Sequence, residues 1–371
     1  MKIGVPAETI ENERRVALVP ETVARLVKAG HSVHVASGAG TESGFPDSLY
    51  SQAGATVSPD STAAVLGADI VVHVQPLDAE IMGSVKSGAI LISMLNARTD
   101  PDGIKRLAAA GLSGLAMELV PRIARAQRMD VLSSQASIAG YKAVLIGANM
   151  LGKYLPMMMT AAGTVPPAKV LVLGAGVAGL QAIATAKRLG ARVEAYDVRA
   201  AVKEQVESLG GIFIQLPQSA DAEAAGGYAR EQTAEEQAAQ RQLLADHVAE
   251  ADVVITTAAI PGRPAPKLVM ADMVARMNAG TVIVDLAAET GGNCELTKAG
   301  EIVLTENGVR INGPVNVPSM VPNDASRLYS RNVSALLDLL FDKEGKANLN
   351  FEDEIIAAMC VTHGGEVRFK S

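Results

Sequence analysis

Apolar and polar residues follow two patterns along the chain, and together they predict a parallel α/β architecture. Short β-branched runs are typical of buried strands, and apolar residues recurring every three or four positions are typical of helices. In the first third, strands are predicted at residues 2–5, 32–35, 70–75, 90–94 and 114–117, with helices between them, for example at 20–29 and 101–110. The middle third repeats the scheme at residues 170–173, 193–196, 212–215, 253–256 and 282–285.

Two longer helical patterns suggest how these strands are divided into domains. Residues 130–154 have the apolar spacing of a long connecting helix, and residues 325–341 that of a helix able to pack back on the first domain. We therefore expect a discontinuous first domain (residues 1–130 plus 315–371) and a second domain (residues 131–314). Each should be a doubly wound parallel sheet, with a cleft between the two.

Composition narrows the class of protein without indicating a function. Hydrophobic residues make up 49% of the 371 residues and charged residues 20%, so the chain can bury sizeable cores. Aromatic residues reach only 3% and tryptophan is absent, which suits helices packed closely on parallel sheets. The formal net charge of −7 argues against a nucleic-acid partner, which would favour a basic face.

Cysteine usage and the lack of a long apolar segment indicate a cytoplasmic chain. Cys294 and Cys360 are too few and too far apart for a disulfide framework or a zinc cluster, and the C-x-x-H of Cys360 and His363 is not expected to bind a metal. The amino terminus lacks the apolar core of a signal peptide. The most apolar stretch, residues 155–168, is too short to span a bilayer and contains prolines, so no direct membrane insertion is expected.

A glycine-rich turn carries the clearest chemistry. The predicted strand ending at residue 173 runs directly into Gly174, Gly176 and Gly179, and a helical pattern follows. Strand, G-x-G-x-x-G and helix in this order indicate a Rossmann dinucleotide site. Gly174 should make the tight turn, Gly176 should let a pyrophosphate approach the backbone, and Gly179 should allow close packing of helix on strand. The helix amino terminus then offers free N–H groups to the diphosphate.

The residues after the next strand favour NAD(H) over NADP(H). Asp197 follows Gly179 by 18 residues, where a carboxylate can accept hydrogen bonds from the adenosine ribose and repel an extra 2′-phosphate. Arg199 favours NADP(H) instead, because an arginine two residues after the carboxylate could bind a 2′-phosphate. The preference for NAD remains our prediction.

Several longer motifs resemble one family across the whole chain. They are RIARAQRMDVLSSQASIAGY at residues 122–141, PMMMTAAGTVPP at 156–167, DVRAA at 197–201, GGY at 226–228 and IPGRPAP at 260–266. These stretches resemble the NAD(H)-binding component of proton-translocating nicotinamide nucleotide transhydrogenases, of the separate alpha-1 type. The resemblance implies hydride exchange between NAD(H) here and NADP(H) on a partner subunit, coupled to proton movement through a membrane-spanning subunit. It also implies a homodimer, peripheral on the inner face of the cell membrane through those partners, and active only with them.

The resemblance carries residue roles onto this sequence. The positions that contact the nicotinamide end are Arg122, Gln127, Asp130 and Ser133, and Tyr228 matches a lid tyrosine. The remaining family positions for NAD contacts are Val177 at the pyrophosphate, Asp197, Val198 and Arg199 at the adenosine, and Gly227, Gln240 and Ala259. Hydride transfer between two nicotinamides needs no general acid or base, so catalysis should be mostly positioning. Asp130 has a second interpretation, as the N-cap of the helix that begins near residue 131.

Two other functions compete with this interpretation. The amino-terminal pattern, with Arg15, is also similar to alanine dehydrogenase, in which a lysine follows the strand at 70–74 and a histidine the next strand. Gln75 and Asn96 stand at those positions here, and neither exchanges a proton near neutral pH. Arg15 is present, but it also has a structural interpretation as an ion pair. The second competitor is a non-catalytic NAD-binding module, which nothing in the sequence excludes.

One connection is longer than a strand–helix–strand unit needs. About 35 residues separate the strands near residues 216 and 252, and this segment contains Gly226, Gly227 and Tyr228. We expect residues 220–234 to form a mobile lid that closes over bound NAD, the alternative being a plain disordered loop.

If Tyr228 covers the nucleotide, Tyr228→Phe should weaken NAD binding or slow transfer by one net hydrogen bond, about 0.5–1.5 kcal/mol. Removing the ring should have a larger effect. Hydrogen exchange across residues 220–234, with and without NADH, checks the lid directly. Protection that does not change at saturating NADH would favour the disordered loop.

Overall fold

The computed structural model describes residues 1–215, 233–259 and 262–369. The chain divides into two units. Unit 1 comprises Met1–Gln135 and Pro318–Ser371, and unit 2 comprises Ala136–Val317. Each unit contains a mostly parallel sheet of its own, which confirms the expected α/β class with two such domains.

The elements follow one another in a largely alternating order. The strands are β1 (Lys2–Val5), β2 (Ser32–Ala36), β3 (Thr56–Ser58), β4 (Ile70–Val72), β5 (Ile90–Ser93), β6 (Ser113–Ala116), β7 (Met158–Thr160), β8 (Gly163–Val165), β9 (Lys169–Leu173), β10 (Arg192–Tyr196), β11 (Ile212–Ile214), β12 (Val253–Thr256), β13 (Val282–Asp285), β14 (Ile302–Leu304), β15 (Arg310–Asn312), β16 (Cys360–His363) and β17 (Glu366–Val367). The helices are α1 (Pro20–Lys28), α2 (Asp47–Gln52), α3 (Ser61–Val65), α4 (Ala79–Gly83), α5 (Pro101–Ala109), α6 (Val131–Met150), α7 (Val177–Arg188), α8 (Lys203–Ser208), α9 (Ala234–Glu250), α10 (Ala271–Ala275), α11 (Pro322–Leu340) and α12 (Glu354–Met359).

The sheet of unit 1 has the strand order β17-β16-β6-β5-β4-β1-β2-β3. Strands β1 to β6 pair in parallel, and β16 pairs antiparallel with β6 and β17. Successive residues of β4 pack into different clusters, since Ile70 and Val72 lie in one and Val71 in another. Both faces of this sheet are therefore covered, as parallel sheets require.

The sheet of unit 2 has the order β11-β10-β9-β12-β13-β15-β14 and is parallel except for β14. Val170 and Val172 of β9 pack into one buried cluster, while Leu171 and Leu173 pack into another. From β9 the chain pairs β10 on one side and later places β12 on the other. The strand order therefore reverses beside β9, and the carboxyl ends of β9 and β12 form a topological switch point, where doubly wound sheets bind ligands.

The closing helix of unit 1 packs on the sheet formed by the amino-terminal strands, as expected from its apolar spacing. Polar contacts fix α11 in place. Tyr329 donates to the carbonyl of His73 (2.7 Å), Ser330 to Thr22 Oγ1 (2.7 Å), and Asn332 Nδ2 to the carbonyl of Arg128 (2.8 Å). These contacts join residues more than 200 positions apart, so both chain ends are needed to complete this unit.

The sequence predicts the central strands well and the peripheral ones poorly. Strand β4 ends at Val72 rather than at residue 75, and the N–H groups of Val74 and Gln75 donate to the carboxylate of Glu8 (2.7 and 3.2 Å). Strands β3, β7, β8 and β14 to β17 were not predicted, because they have two to four residues and no long apolar run. Within the described ranges, no helix is both long and apolar enough to cross a bilayer.

Helix α6 lies very close to its neighbours in unit 2 because it has glycine at two contact points. A Cβ on Gly140 would lie 2.0 Å from the carbonyl oxygen of Ala178 in α7, and one on Gly147 would lie 2.8 Å from Val253 Cγ1 in β12. Side chains at these positions would force the elements apart.

We expect Gly140→Ala to destabilise the protein by about 1–3 kcal/mol, because the added methyl group meets backbone that cannot rotate away. Gly152→Ala is the matched control, since no atom lies within 4 Å of the Cβ it would add. Urea unfolding followed by far-ultraviolet circular dichroism measures both. Equal midpoints for the two variants would contradict the proposed close packing.

Candidate functional site

The turn between β9 and α7 requires glycine for a different reason at each of three positions. Gly174 has φ +100°, and a Cβ there would lie 2.7 Å from Thr257 Oγ1. A Cβ on Gly179 would lie 1.8 Å from the carbonyl oxygen of Gly174, so only glycine lets the helix pack on the turn. At Gly176 nothing lies within 4 Å of the Cβ position. Gly176 therefore faces open space, where a ligand can approach the backbone.

The amino terminus of α7 offers hydrogen-bond donors without a competing side chain. Gly176 is its N-cap, no side chain caps it, and its first turn holds no acidic residue. Val177, the first helical residue, is exposed. Free N–H groups and the positive end of a 12-residue helix suit a diphosphate. The turn therefore fits the pyrophosphate of a dinucleotide.

Asp197 lies beside this turn, at the carboxyl end of β10. Its Oδ2 accepts a hydrogen bond from the N–H of Ala175 (2.7 Å), which ties the carboxylate to the glycine turn. Arg199 binds the same carboxylate with its guanidinium, Nε to Oδ1 (2.9 Å) and Nη2 to Oδ2 (2.8 Å). Val198, between them, is partly buried against the core of unit 2. The structure thus brings all three predicted adenosine contacts to the switch point.

The other side of the switch point is supported by residues that were not predicted from the sequence. Thr257 Oγ1 donates to the carbonyl of Gly174 (3.0 Å). Asn293 is fully buried, accepts from the N–H of Ala258 (3.0 Å) and donates to its carbonyl (2.8 Å). Asp285 at the end of β13 accepts from the N–H of Cys294 (2.9 Å) and from Thr256 Oγ1 (2.8 Å). Only the folded chain brings these residues together, so no local motif could have identified them.

Several predicted nucleotide contacts have little or no structural description. Gly227 and Tyr228 lie outside the described residues. Gln240 lies in α9, and its backbone alone is described. Ala259 follows β12 and is exposed. The lid hypothesis therefore stays a prediction.

The four residues predicted for the nicotinamide lie in unit 1. A 3₁₀ helix, Ala124–Met129, leads into α6 and is anchored by the buried side chains of Ala126 and Met129. Arg122 and Gln127 are exposed in this loop. Asp130 Oδ1 accepts from the N–H of Ser133 (2.9 Å) and Oδ2 from Ser133 Oγ (2.6 Å). Asp130 is thus an N-cap of α6, as its second interpretation predicted, and it is bonded to another of the four residues.

The positions compared with alanine dehydrogenase also lie in unit 1. Gln75 Nε2 donates to Glu13 Oε2 (2.8 Å). Arg15 is 2% exposed and binds Glu13 through Nε (2.7 Å) and Nη2 (2.6 Å). Burial raises the pKa of Glu13, but the bonds from Arg15 outweigh it and lower that pKa to about 2. Asn96 occupies a left-handed turn with φ +54°.

A buried histidine close to Gln75 was not predicted from the sequence. His73 is fully buried, with Nε2 3.2 Å from Glu8 Oε1 and Nδ1 2.8 Å from the carbonyl of Gln75. Burial raises the pKa of Glu8. Because the imidazole is enclosed by protein groups, it has no open face toward a substrate. In the portion of the chain that is described, no three His, Cys, Asp or Glu side chains form a group suited to a metal ion.

Comparison with known proteins identifies two family domains. Residues 4–139 match the family described as alanine dehydrogenase/PNT, N-terminal domain, and residues 143–370 match alanine dehydrogenase/PNT, C-terminal domain. A chain of Rhodospirillum rubrum, named as the first part of NAD(P) transhydrogenase subunit alpha, is 48% identical, covering 99% of this chain and 97% of that protein. Alanine dehydrogenase of Bacillus subtilis is 31% identical, covering 100% of this chain and 93% of that enzyme.

Solved structures agree with these relatives. The transhydrogenase structure from Sinorhizobium meliloti superimposes with a TM-score of 0.87 at 44% identity, covering 99% of this chain and 98% of that one. An L-alanine dehydrogenase structure gives a TM-score of 0.80 at 29% identity, covering 99% and 96%. Both family models are matched in order, and together they span nearly the whole sequence. This chain therefore belongs to the alanine dehydrogenase/PNT family.

Proposed function

We propose that this chain is the NAD(H)-binding component of a proton-translocating transhydrogenase. It passes hydride between NAD(H) and an NADP(H) held by a partner subunit, and a membrane-spanning partner couples this transfer to proton translocation. The observation that carries the proposal is the dinucleotide site at the switch point. Gly176 and the uncapped amino terminus of α7 receive the pyrophosphate there, and Asp197 receives the adenosine ribose.

The proposed reaction requires the protein mainly to position the two nicotinamide rings. Hydride leaves one carbon and arrives at another, so neither a nucleophile nor a general base is needed. We assign Arg122, Gln127, Asp130 and Ser133 to the nicotinamide end. The Asp130–Ser133 pair supports this role, because a carboxylate already oriented by two hydrogen bonds can accept from a carboxamide N–H without reorganising.

The partners follow from the proposed reaction. A second nucleotide site and a proton path belong to other subunits in this scheme, and the chain is active only when bound to them. We place it in the cytoplasm, peripheral on the inner face of the cell membrane through those subunits. The Rhodospirillum rubrum relative is named as a portion of one subunit, which supports a component of a larger assembly.

The alanine dehydrogenase alternative is less well supported by the side chains present. Oxidation of an amino acid needs a group that can take up a proton near the reacting carbon. Gln75 is an amide bonded to Glu13, Asn96 is an amide in a turn, and Arg15 is paired with Glu13. We therefore propose that this chain does not oxidise alanine.

The isolated chain should bind NADH at least about tenfold more tightly than NADPH, since the Asp197 carboxylate repels a 2′-phosphate. Titration followed by NADH and NADPH emission is convenient because the chain has no tryptophan. Added to membranes that carry the partner subunits, the chain should restore hydride transfer from NADPH to an NAD⁺ analogue. L-Alanine with NAD⁺ is the control substrate and should give no NADH. Equal affinities for the two nucleotides would show that Asp197 has been misinterpreted.

We also propose that the chain is a homodimer through the β7–β8 hairpin. Residues 144–159 are strongly apolar, but the structure buries only some of them. Val144, Leu151 and Leu155 are buried, whereas Met157 and Met159 are 58% and 77% exposed. An exposed apolar hairpin of this kind is typical of an interface.

Light scattering should give a mass of twice 38.4 kDa, and Met159→Lys should shift it toward the monomer. Leu304→Lys is the matched control, because Leu304 is 70% exposed on the edge strand β14 and should leave the mass unchanged. A wild-type mass near 38.4 kDa would remove the dimer from the proposal.

A further inference from the structure

We propose that the guanidinium of Arg199 occupies the place of the adenosine ribose on Asp197 and must leave when NAD(H) binds. Arg199 is then a specificity-determining residue that competes with the nucleotide for one carboxylate, rather than the adenosine contact that the family resemblance implies. This inference rests on the proposed function, because it assumes that the switch point of unit 2 takes a dinucleotide.

The carboxylate of Asp197 is saturated with donors. Its Oδ1 accepts from the backbone N–H of Arg199 and from Arg199 Nε, both at 2.9 Å. Its Oδ2 accepts from the N–H of Ala175 (2.7 Å) and from Arg199 Nη2 (2.8 Å). A carboxylate has about four acceptor positions, so these four bonds fill them. A ribose hydroxyl can bind Asp197 only if one of these donors departs.

The two donors on the Arg199 side chain, Nε and Nη2, are the ones that can leave Asp197. Ala175 is 1% exposed and is fixed in the glycine turn, and the backbone N–H of Arg199 lies only two residues from the carboxylate it binds. The guanidinium, in contrast, is on a long rotatable stem, and the side chain of Arg199 is 16% exposed against 7% for Asp197. The guanidinium therefore has a path to solvent that the backbone donors lack.

Replacement of Arg199 by the ribose distinguishes NAD(H) from NADP(H) by the number of hydrogen-bond donors on the adenosine ribose. The ribose of NAD(H) presents two hydroxyl groups, which can replace the two side-chain bonds of Arg199 one for one. In NADP(H) one of these hydroxyls is a phosphate, which near neutral pH accepts hydrogen bonds and repels the carboxylate. Displacing Arg199 with NADP(H) thus leaves a buried carboxylate short of a donor, which is unfavourable. Charge repulsion and the missing donor therefore disfavour NADP(H) with or without Arg199, whereas competition by Arg199 lowers the affinity for NAD(H).

The test is the affinity of the full-length chain carrying Arg199→Met, which keeps the length of the apolar stem. NADH should bind on the order of tenfold more tightly than to the wild type, because no guanidinium has to be displaced. NADPH should gain nothing, so the ratio of the two affinities should widen. The ligand-free variant should melt at a lower temperature, since Asp197 loses two hydrogen bonds from the guanidinium, and NADH should raise its melting temperature more than that of the wild type.

Matched controls test whether the change in NADH affinity comes from the adenosine ribose. Arg192→Met removes an arginine from the opposite end of the same strand, where Arg192 pairs with Glu194 at 3.3 Å, and it should leave both affinities unchanged. Reduced nicotinamide mononucleotide has no adenosine and should bind Arg199→Met and wild type equally. Arg199→Lys keeps the charge without the planar fork and should bind NADH with intermediate affinity. It also serves as the test if Arg199→Met does not fold.

Weaker or unchanged NADH binding by the Arg199 variants would overturn the inference, since it would make Arg199 a nucleotide contact or a bystander. The failure of the proposed function looks different. In that case the wild-type chain itself would bind NADH no better than NADPH, whatever residue stands at position 199.

Discussion

The close approach of α7 to the end of β9 is the contact on which the nucleotide site depends. Gly179 lies so near the carbonyl of Gly174 that a Cβ would be 1.8 Å from it, so the helix begins immediately above the strand. This position points the free N–H groups of the first turn at the switch point. It also presents the N–H of Ala175 to Asp197, so the same turn orients the carboxylate to which we assign the ribose. This one packing contact thus positions both the N–H groups of α7 and the carboxylate of Asp197.

Two networks of polar side chains in unit 1, one around Arg15 and one around His73, are satisfied by other protein groups. Glu13, Arg15 and Gln135 form a buried network with paired charges, which the partly buried Gln75 joins, and Glu8 and His73 form another. Removing one partner from such a network leaves an uncompensated buried charge, which costs several kcal/mol, about 3–5. Because Arg15 is held by Glu13 and Gln135, its presence is no sign of an amino-acid substrate.

The sequence predicted what is encoded locally. The strand, the three glycines and the helix stand next to one another, so their geometry could be read directly from residues 169–188, and β9 and α7 appear there. The supports at Thr257 and Asn293 come from 83 and 119 positions beyond Gly174, and only the strand order brings them near. The meaning of Arg199 was ambiguous for another reason. An arginine two residues after the carboxylate suits a 2′-phosphate as well as an ion pair, and only the structure shows the ion pair with Asp197.

The amino terminus of α6 is capped by a side chain and that of α7 is not, which supports the different roles that we propose for them. The first turn of α6 is capped by Asp130, whose carboxylate binds the N–H of Ser133, so this end is partly satisfied by the protein itself. The first turn of α7 has no such cap and suits an anion. The carboxylates of Asp130 and Asp197 also differ in how many of their acceptor positions are occupied. Described residues fill two of about four acceptor positions on Asp130 but all four on Asp197. Asp130 can therefore accept a carboxamide N–H directly, whereas Asp197 can bind a ribose only by exchanging a partner.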